Sequence, residues 1–215
     1  MQKFCDYYFV CTSPWTYLGH ERFVAMAEKH QVAIRVKPMN LGQIFPASGG
    51  LPLAKRAPQR QAYRLVELER WRQLSGLPLT IHPKFFPADD RLAARCVIAA
   101  DELLGTKAAL MVAGAMLKSV WADEANIADE NDVRAALQRI GFKADELLAK
   151  AASESAHARY EANTQEALQA EVFGAPWYVS TAYPSGGRTD SIFLNEPLRL
   201  QRLANGGPAL IHGQL

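Results

Sequence analysis

The sequence has little cysteine and lacks the common patterns for binding a metal ion or a nucleotide. Its three cysteines, Cys5, Cys11 and Cys96, are odd in number and include no C-x-x-C pair, which argues against a disulfide framework. The five histidines are scattered, with no i,i+4 pair on a helix and no flanking cysteine ligands, so we predict no metal site. The patterns G-x-G-x-x-G and G-x-x-x-x-G-K-[ST] are absent as well, so the usual nucleotide cradles are not expected.

Charge and hydrophobic runs exclude two further classes of partner. The formal net charge is only +2 and no run of five or six like charges occurs, so we predict no binding to nucleic acid. No stretch approaches the roughly 18 to 20 apolar residues that a membrane span needs. The N-terminal segment MQKFCDYYFVCTSPW has no small-residue cleavage site and resembles a first strand more than a signal peptide, which predicts a cytoplasmic protein.

The order of predicted elements indicates an α/β protein. Residues 3–11 form a nearly continuous apolar run typical of a central strand, and Ser13-Pro14 then opens a helix that runs to about His30. The alternation over Val32 to Pro38 predicts a second strand, which completes a right-handed βαβ unit. Residues 41–58 are rich in glycine and proline and are predicted to form a long loop.

The rest of the chain is predicted to be a helical block followed by a short tail. Helical periodicity dominates from about Arg60 to Leu168, and Met111 and Met116 are expected in its core. Strands are predicted at residues 177–179 and 191–194, and a last helix begins near Pro197. We therefore expect a thioredoxin-like fold (βαβ…ββα) made of residues 1–40 and 170–215, with an inserted loop and all-helical domain at 41–169.

The segment CTSPWTYLG at residues 11–19 carries the most chemical information. In dithiol oxidoreductases of this architecture a C-x-x-C motif lies where the first strand meets the first helix, and the helix N-terminus stabilises a thiolate. Here Ser13 takes the nucleophilic position and Thr16 the resolving position, so no disulfide can form. The site could still hold the thiolate of an external molecule, although a serine that merely caps the helix explains the same pattern.

A second element of the candidate site is Gly174-Ala175-Pro176, which precedes the late strand. Thioredoxin-like folds place a cis-proline here, facing the active-site turn, and the backbone before it can pair with an extended peptide. A trans proline that only begins a strand is the alternative.

These pieces together resemble a known family. The segments FVCTSPWTYLG (9–19), AYRLVELERW (62–71) and VFGAPWYV (172–179) are similar to those of 2-hydroxychromene-2-carboxylate isomerases and kappa-class glutathione transferases, relatives of the DsbA-like oxidoreductases. The resemblance implies glutathione as cofactor, with Ser13 bonding its sulfur and with Ala175 and Pro176 holding its cysteinyl backbone. It also implies a homodimer.

The sequence departs from this family at several places. Leu51 replaces an asparagine of the family loop, and Arg60 stands at a lysine position with Lys55 and Arg56 nearby. One of these three cations could meet a substrate carboxylate, although exposed cations on a loop are often only solvated.

Near the C-terminus Asn195 and Glu196 occupy the place where the family has an acid that binds the γ-glutamyl amine of glutathione. Pro197 stands where the family has an arginine. Trp15 and Trp177 adjoin the two catalytic elements and are predicted to contact an aromatic substrate.

The leading functional hypothesis is a glutathione-dependent cis-trans isomerase of an unsaturated aromatic keto acid, acting by reversible addition of the glutathione thiolate. A kappa-class-like glutathione transferase and a non-catalytic thioredoxin-fold binding module are the alternatives. The small-molecule substrate and glutathione are the predicted partners.

Overall fold

The architecture is that of a small mixed sheet surrounded by helices. The computed structural model describes residues 4–180 and the backbone of 190–191. Four strands pair in the order β2-β1-β3-β4, where β1 is Phe4–Phe9, β2 is Ala33–Pro38, β3 is Trp177–Ser180 and β4 is Asp190–Ser191. Strand β1 is parallel to β2 and antiparallel to β3, which in turn is antiparallel to β4. The predicted strands at both ends of the chain therefore meet in one sheet.

Strand β1 lies at the centre of the sheet and is buried on both faces, as its apolar run predicted. Tyr7 and Phe9 belong to the large hydrophobic cluster on one face, whereas Tyr8 and Val10 belong to a second cluster on the other face. This alternation follows from the two-residue period of a strand. The strand thus delivers the residues that follow it, Cys11 to Ser13, to a fixed place between the two cores.

The first helix, α1, spans Pro14–Lys29 and confirms the predicted helix start. Ser13 is its N-cap, and Pro14 occupies the first turn, where a missing N–H costs nothing. The helix ends one residue before His30, close to the predicted end.

The prediction of a long loop at residues 41–58 is wrong in its first half. Helix α2 spans Leu41–Ser48, with the Asn40 side chain accepting the Gly42 N–H at its start and Gly49 in the left-handed conformation at its end. The glycine and proline content suggested a loop because Pro46 lacks the N–H that a helix interior uses. The fully buried Ile44 anchors this short helix, and tertiary packing outweighs the unfavourable composition.

Helices dominate from residue 58 to residue 169, as predicted. They are α3 (Pro58–Ser75), α4 (Arg91–Leu104), α5 (Thr106–Trp121), α6 (Glu130–Arg139), α7 (Ala144–Ala151) and α8 (Glu154–Gln169), and a 3₁₀ turn at Leu53–Lys55 precedes them. Met116 is buried as expected, but Met111 is 46% exposed, so its assignment to the core is wrong. It lies on the outer side of α5, where the apolar stripe does not reach.

The hydrophobic core is shared between the sheet and the helices. One cluster contains Tyr7 and Phe9 of β1 together with buried residues of α1 and of α4 to α7. The proposed division of the chain at residues 41 and 169 stays a prediction, and α2 begins at the first of these residues while α8 ends at the second. The strand predicted at 191–194 begins within β4, and the rest of it, like the helix near Pro197, lies outside the described residues.

Candidate active site at the start of the first helix

Ser13 links the two elements that the sequence singled out. Its hydroxyl donates to the backbone carbonyl of Ala175 at 3.1 Å and accepts the Thr16 N–H at 3.2 Å. The Ser13 N–H itself donates to the Val10 carbonyl at 3.1 Å, which fixes the turn that leads out of β1. The serine therefore caps the helix and also touches a segment 162 residues away in the sequence. Helix capping alone does not require the second contact.

The segment before β3 adopts the cis conformation, the first of the two alternatives that the sequence left open. The Ala175–Pro176 peptide bond is cis, and both residues are buried next to the turn that carries Ser13. The backbone that could pair with an extended ligand thus lies within hydrogen-bond reach of the serine. Thr16, at the resolving position, is fully buried, and its hydroxyl has no hydrogen-bond partner among residues 4–180.

Asp90 also belongs to this site, although no sequence pattern singled it out. It precedes α4, and its carboxylate accepts the N–H of Cys11 at 2.8 Å, two residues before Ser13. Burial raises the pKa of Asp90 to about 6, while hydrogen bonds from the backbone of Cys11 and Thr12 act in the opposite direction. This contact ties the helical segment to the turn that carries Ser13. The pair of acids at 89–90 before a helical stretch was the only sequence signal, and it suggests a helix cap equally well.

His20 holds the first helix in place from its second turn. Its Nε2 lies 3.0 Å from the Leu110 carbonyl of α5, and its Nδ1 lies 3.1 Å from the Tyr7 hydroxyl of β1. Because a carbonyl oxygen can only accept, Nε2 carries the proton, and Nδ1 accepts from Tyr7. Burial lowers the pKa of His20 to about 4, so the ring is neutral at physiological pH. A neutral histidine therefore fixes α1, and with it the Ser13 cap, against β1 and α5.

The three cations predicted to meet a substrate carboxylate lie around the 3₁₀ turn and the start of α3. Lys55 and Arg60 are exposed, and Arg56 is half-buried, with its Nε donating to the Leu51 carbonyl at 2.8 Å. None of the three forms an ion pair with an acidic residue in the described part of the chain. Their role toward a substrate stays a prediction, as do those of Asn195 and Glu196, which lie outside the described residues.

The two tryptophans next to the site differ in exposure. Trp15 is half-buried and packs against the large cluster. Trp177 is only 2% exposed and belongs to the second cluster, and its ring meets that of the half-exposed Phe173 edge-on, with 4.2 Å between the ring centres. Trp177 thus packs within the protein, and its contact with a substrate stays a prediction. The alternation of β3 turns this side chain toward the core that also holds Tyr8 and Val10.

The cysteines are placed too deeply for thiol chemistry. Cys5, Cys11 and Cys96 are free and buried, and burial raises the pKa of Cys5 and of Cys96 to about 12 and that of Cys11 well above its usual value. We expect a disulfide reagent such as Ellman's reagent to modify all three at least about 100-fold more slowly in the folded protein than in denaturant, because only the thiolate reacts. Rapid release of one equivalent of thionitrobenzoate from the folded protein would contradict this prediction.

Three further findings concern the described part of the chain. A groove of about 570 Å³ between α1 and α5 is lined in part by Tyr17, Leu110 and Met111, and none of the predicted site residues faces it. Within residues 4–180, no cluster of three or more potential ligands is arranged to hold a metal ion. No helix in that range is long and apolar enough to cross a bilayer.

The fold and this site define a thioredoxin-type protein in which serine replaces the nucleophilic cysteine at the start of the first helix. Residues 4–200 match the family model described as the DSBA-like thioredoxin domain, and the chain belongs to that family. The predicted fold class is thereby confirmed.

Named relatives agree with this assignment. The chain is 27% identical over 177 residues to a 2-hydroxychromene-2-carboxylate isomerase of Sphingobium xenophagum, covering 82% of this chain and 88% of that protein. It is 22% identical over 194 residues to glutathione S-transferase kappa 1 of Rattus norvegicus, covering 87% of this chain and 84% of the relative.

Solved structures share the same fold. A structure of 2-hydroxychromene-2-carboxylate isomerase superposes with a TM-score of 0.74 at 24% identity, covering 94% of each chain. The cytosolic disulfide reductase DsbM from Pseudomonas aeruginosa with GSH superposes with a TM-score of 0.66 at 17% identity, covering 94% of this chain and 98% of the other.

Proposed function

We propose that this protein is a glutathione-dependent cis-trans isomerase of an unsaturated aromatic keto acid. The observation that carries the proposal is the 3.1 Å hydrogen bond between the Ser13 hydroxyl and the carbonyl of Ala175, before the cis-proline. It brings a hydroxyl donor, a helix N-terminus and a peptide-binding backbone to one point, and these are the groups that a cysteinyl thiolate needs. The similarity to proteins named as isomerases of this type supports the choice of reaction.

The residues of the site fit glutathione by the chemistry of their donors and acceptors. Ser13 donates its only hydroxyl proton to the Ala175 carbonyl. When a backbone N–H of a bound peptide donates to the Ala175 carbonyl instead, the Ser13 hydroxyl can rotate and donate a hydrogen bond to a thiolate. The N-terminus of α1 adds its partial positive charge, which lowers the pKa of a thiol held there.

Glutathione, when bound, supplies a thiolate that adds to a conjugated double bond, permits rotation about the resulting single bond and leaves again. Ser13 then stabilises the sulfur by donating a hydrogen bond to it as the negative charge returns. The buried surroundings of Ala175 and Pro176 keep water away from this hydrogen bond. No net oxidation occurs and glutathione is regenerated.

A kappa-class-like transferase is the second candidate, favoured by the 22% identity to glutathione S-transferase kappa 1. Such an enzyme would use the same thiolate site but release a stable conjugate. The two reactions differ in whether glutathione is consumed, since isomerisation returns it unchanged.

The proposal predicts glutathione binding that calorimetry can detect at millimolar concentration. S-methylglutathione is the matched ligand control, because it keeps the peptide groups that contact Ala175 but has no ionisable thiol. We expect both ligands to bind but only glutathione to support turnover of the unsaturated acid. Constant free thiol during turnover supports the isomerase, whereas its stoichiometric loss supports the transferase. If neither ligand binds, the protein is a non-catalytic binding module instead.

The oligomeric state and the cellular location of the protein are part of the same proposal. We propose a homodimer that acts in the cytoplasm, where the glutathione pool keeps thiols reduced. Sedimentation analysis at micromolar concentration tests the dimer directly, and a monomer there would remove it from the proposal.

A further inference from the structure

A second pocket lies between α3 and the segment that follows it. It has a volume of about 240 Å³, with polar groups from Arg64 and His82 and apolar walls from Leu65, Ile81 and Phe86. None of the three cations predicted from the sequence lines this pocket. Its basic group is Arg64, one turn further along α3 than Arg60.

Arg64 is a half-buried cation without an acidic partner. Its guanidinium lies 5.3 Å from the centre of the Phe86 ring and 5.8 Å from that of the Trp121 ring. Among residues 4–180 it forms no ion pair and no side-chain hydrogen bond. Two aromatic rings thus lie beside the guanidinium, and its N–H groups have no acceptor among the described residues.

The segment that leads up to Arg64 carries only basic charges. Residues 38–66 contain Lys55, Arg56, Arg60 and Arg64 but no aspartate or glutamate. Burial lowers the pKa of Arg64 to about 10, and the charge of Arg56 acts in the same direction. Gln61 holds the Arg56 backbone through a 2.7 Å hydrogen bond to its carbonyl, which keeps this second guanidinium on the same turn.

A desolvated guanidinium beside a like charge is costly, and an anion in the pocket would offset that cost. Guanidinium groups match carboxylates with two parallel hydrogen bonds, and the flanking Phe86 and Ile81 suit a flat apolar group attached to the carboxylate. We infer that this pocket binds a carboxylate joined to a flat unsaturated or aromatic group, with Arg64 as the partner of the anion. The assignment of that ligand to the substrate rests on the proposed function, but carboxylate binding itself does not.

Salicylate is a suitable probe, with salicylamide as its uncharged counterpart. We expect calorimetry to detect salicylate binding to the full-length protein. In Arg64→Met the affinity should fall at least about tenfold, because methionine keeps an aliphatic side chain but lacks the guanidinium that pairs with a carboxylate. Arg64→Lys should give an intermediate affinity, since it keeps the charge and loses the two-pronged geometry. Arg70→Met is the matched control on the same helix, because Arg70 is exposed and paired with Glu67, and it should bind salicylate like the original protein.

The outcomes separate this inference from the proposed function. Salicylate that binds equally to the original protein and Arg64→Met, or no better than salicylamide, would overturn the inference. A loss of glutathione binding in Arg64→Met without a loss of salicylate binding would likewise exclude the flat acid as the ligand and assign the anion to glutathione. Ser13→Ala should leave salicylate affinity unchanged, so failure of glutathione to bind would remove the proposed function without affecting the Arg64 pocket.

Discussion

Replacement of Ser13 by alanine is expected to lower turnover by about 10²-fold or more, the usual loss when one donor to a developing anion is removed. The physical reason is that the Ser13 hydroxyl is the side-chain donor that the structure places next to the Ala175 carbonyl, where the cysteinyl part of glutathione would lie. The pKa of the bound thiol should rise in the variant, because the thiolate loses a hydrogen bond. Steady-state kinetics and the ultraviolet absorbance of the bound thiolate as a function of pH measure the two effects.

The chain offers a matched control for the lost helix cap. Ser13→Ala also removes the hydrogen bond from the Thr16 N–H, which costs about 1 kcal/mol of stability in typical helices. Ser153 caps α8 in the same way, through the Ala156 N–H at 3.3 Å, and takes no part in the site. Ser153→Ala should therefore show a similar loss of stability with normal turnover. Equal activities of Ser13→Ala and Ser153→Ala would remove Ser13 from the mechanism.

The second large effect concerns the pH dependence of stability, to which two buried groups contribute with opposite signs. The pKa of His20 is lowered from 6.5 to about 4 in the folded protein. As the pH falls between these values the unfolded chain binds a proton that the folded protein does not, so the free energy of unfolding decreases by up to about 3 kcal/mol.

Asp90 opposes this loss. Its pKa is raised from 3.8 to about 6, so on acidification the folded protein binds the proton first and the free energy of unfolding increases by about 3 kcal/mol over that range. The two contributions nearly cancel in the original protein, and single variants should separate them.

Asp90→Asn keeps an acceptor for the Cys11 N–H but removes the titrating group. Relative to the original protein, its free energy of unfolding should fall by about 3 kcal/mol more between neutral pH and the folded-state pKa of His20. His20→Gln should show the opposite deviation, because only the Asp90 contribution is left. Urea unfolding followed by tryptophan fluorescence across this pH range measures both differences.

Differences from the original protein are the quantity to compare, since an acid distant from both substitutions, such as Asp123 with its lowered pKa, contributes equally to all three proteins. Unfolding curves that stay parallel in all three proteins would contradict the assignments. If His20→Gln does not fold, a nuclear magnetic resonance titration of the His20 ring in the original protein still decides whether its pKa is lowered.

The sequence was sufficient to predict the scaffold of the site because the signals involved are local. The apolar run of β1, the Ser13-Pro14 helix start and the proline before β3 each depend on a few neighbouring residues. Strand periodicity, helix capping and the missing proline N–H operate at that range. The cysteine count alone also excluded a disulfide framework.

The sequence was misleading where packing outweighed local preference. Helix α2 forms despite Gly42 and Pro46 because Ile44 is buried under it. Met111, expected in the core, is 46% exposed because of the face of α5 on which it lies. These outcomes depend on packing against distant parts of the chain, and the helix or strand propensity of a residue does not include such packing.

By itself, therefore, the sequence determined the fold class, the position of Ser13 at a helix N-terminus and the lack of a cysteine pair at that turn. Only the tertiary structure decided that Ser13 touches Ala175, that Asp90 holds the turn from α4, and that Arg64 lies half-buried without an acidic partner among the described residues. The physical reason is separation along the chain: a contact between residues 79 or 162 positions apart leaves no local pattern, because it forms only when the shared core brings the segments together.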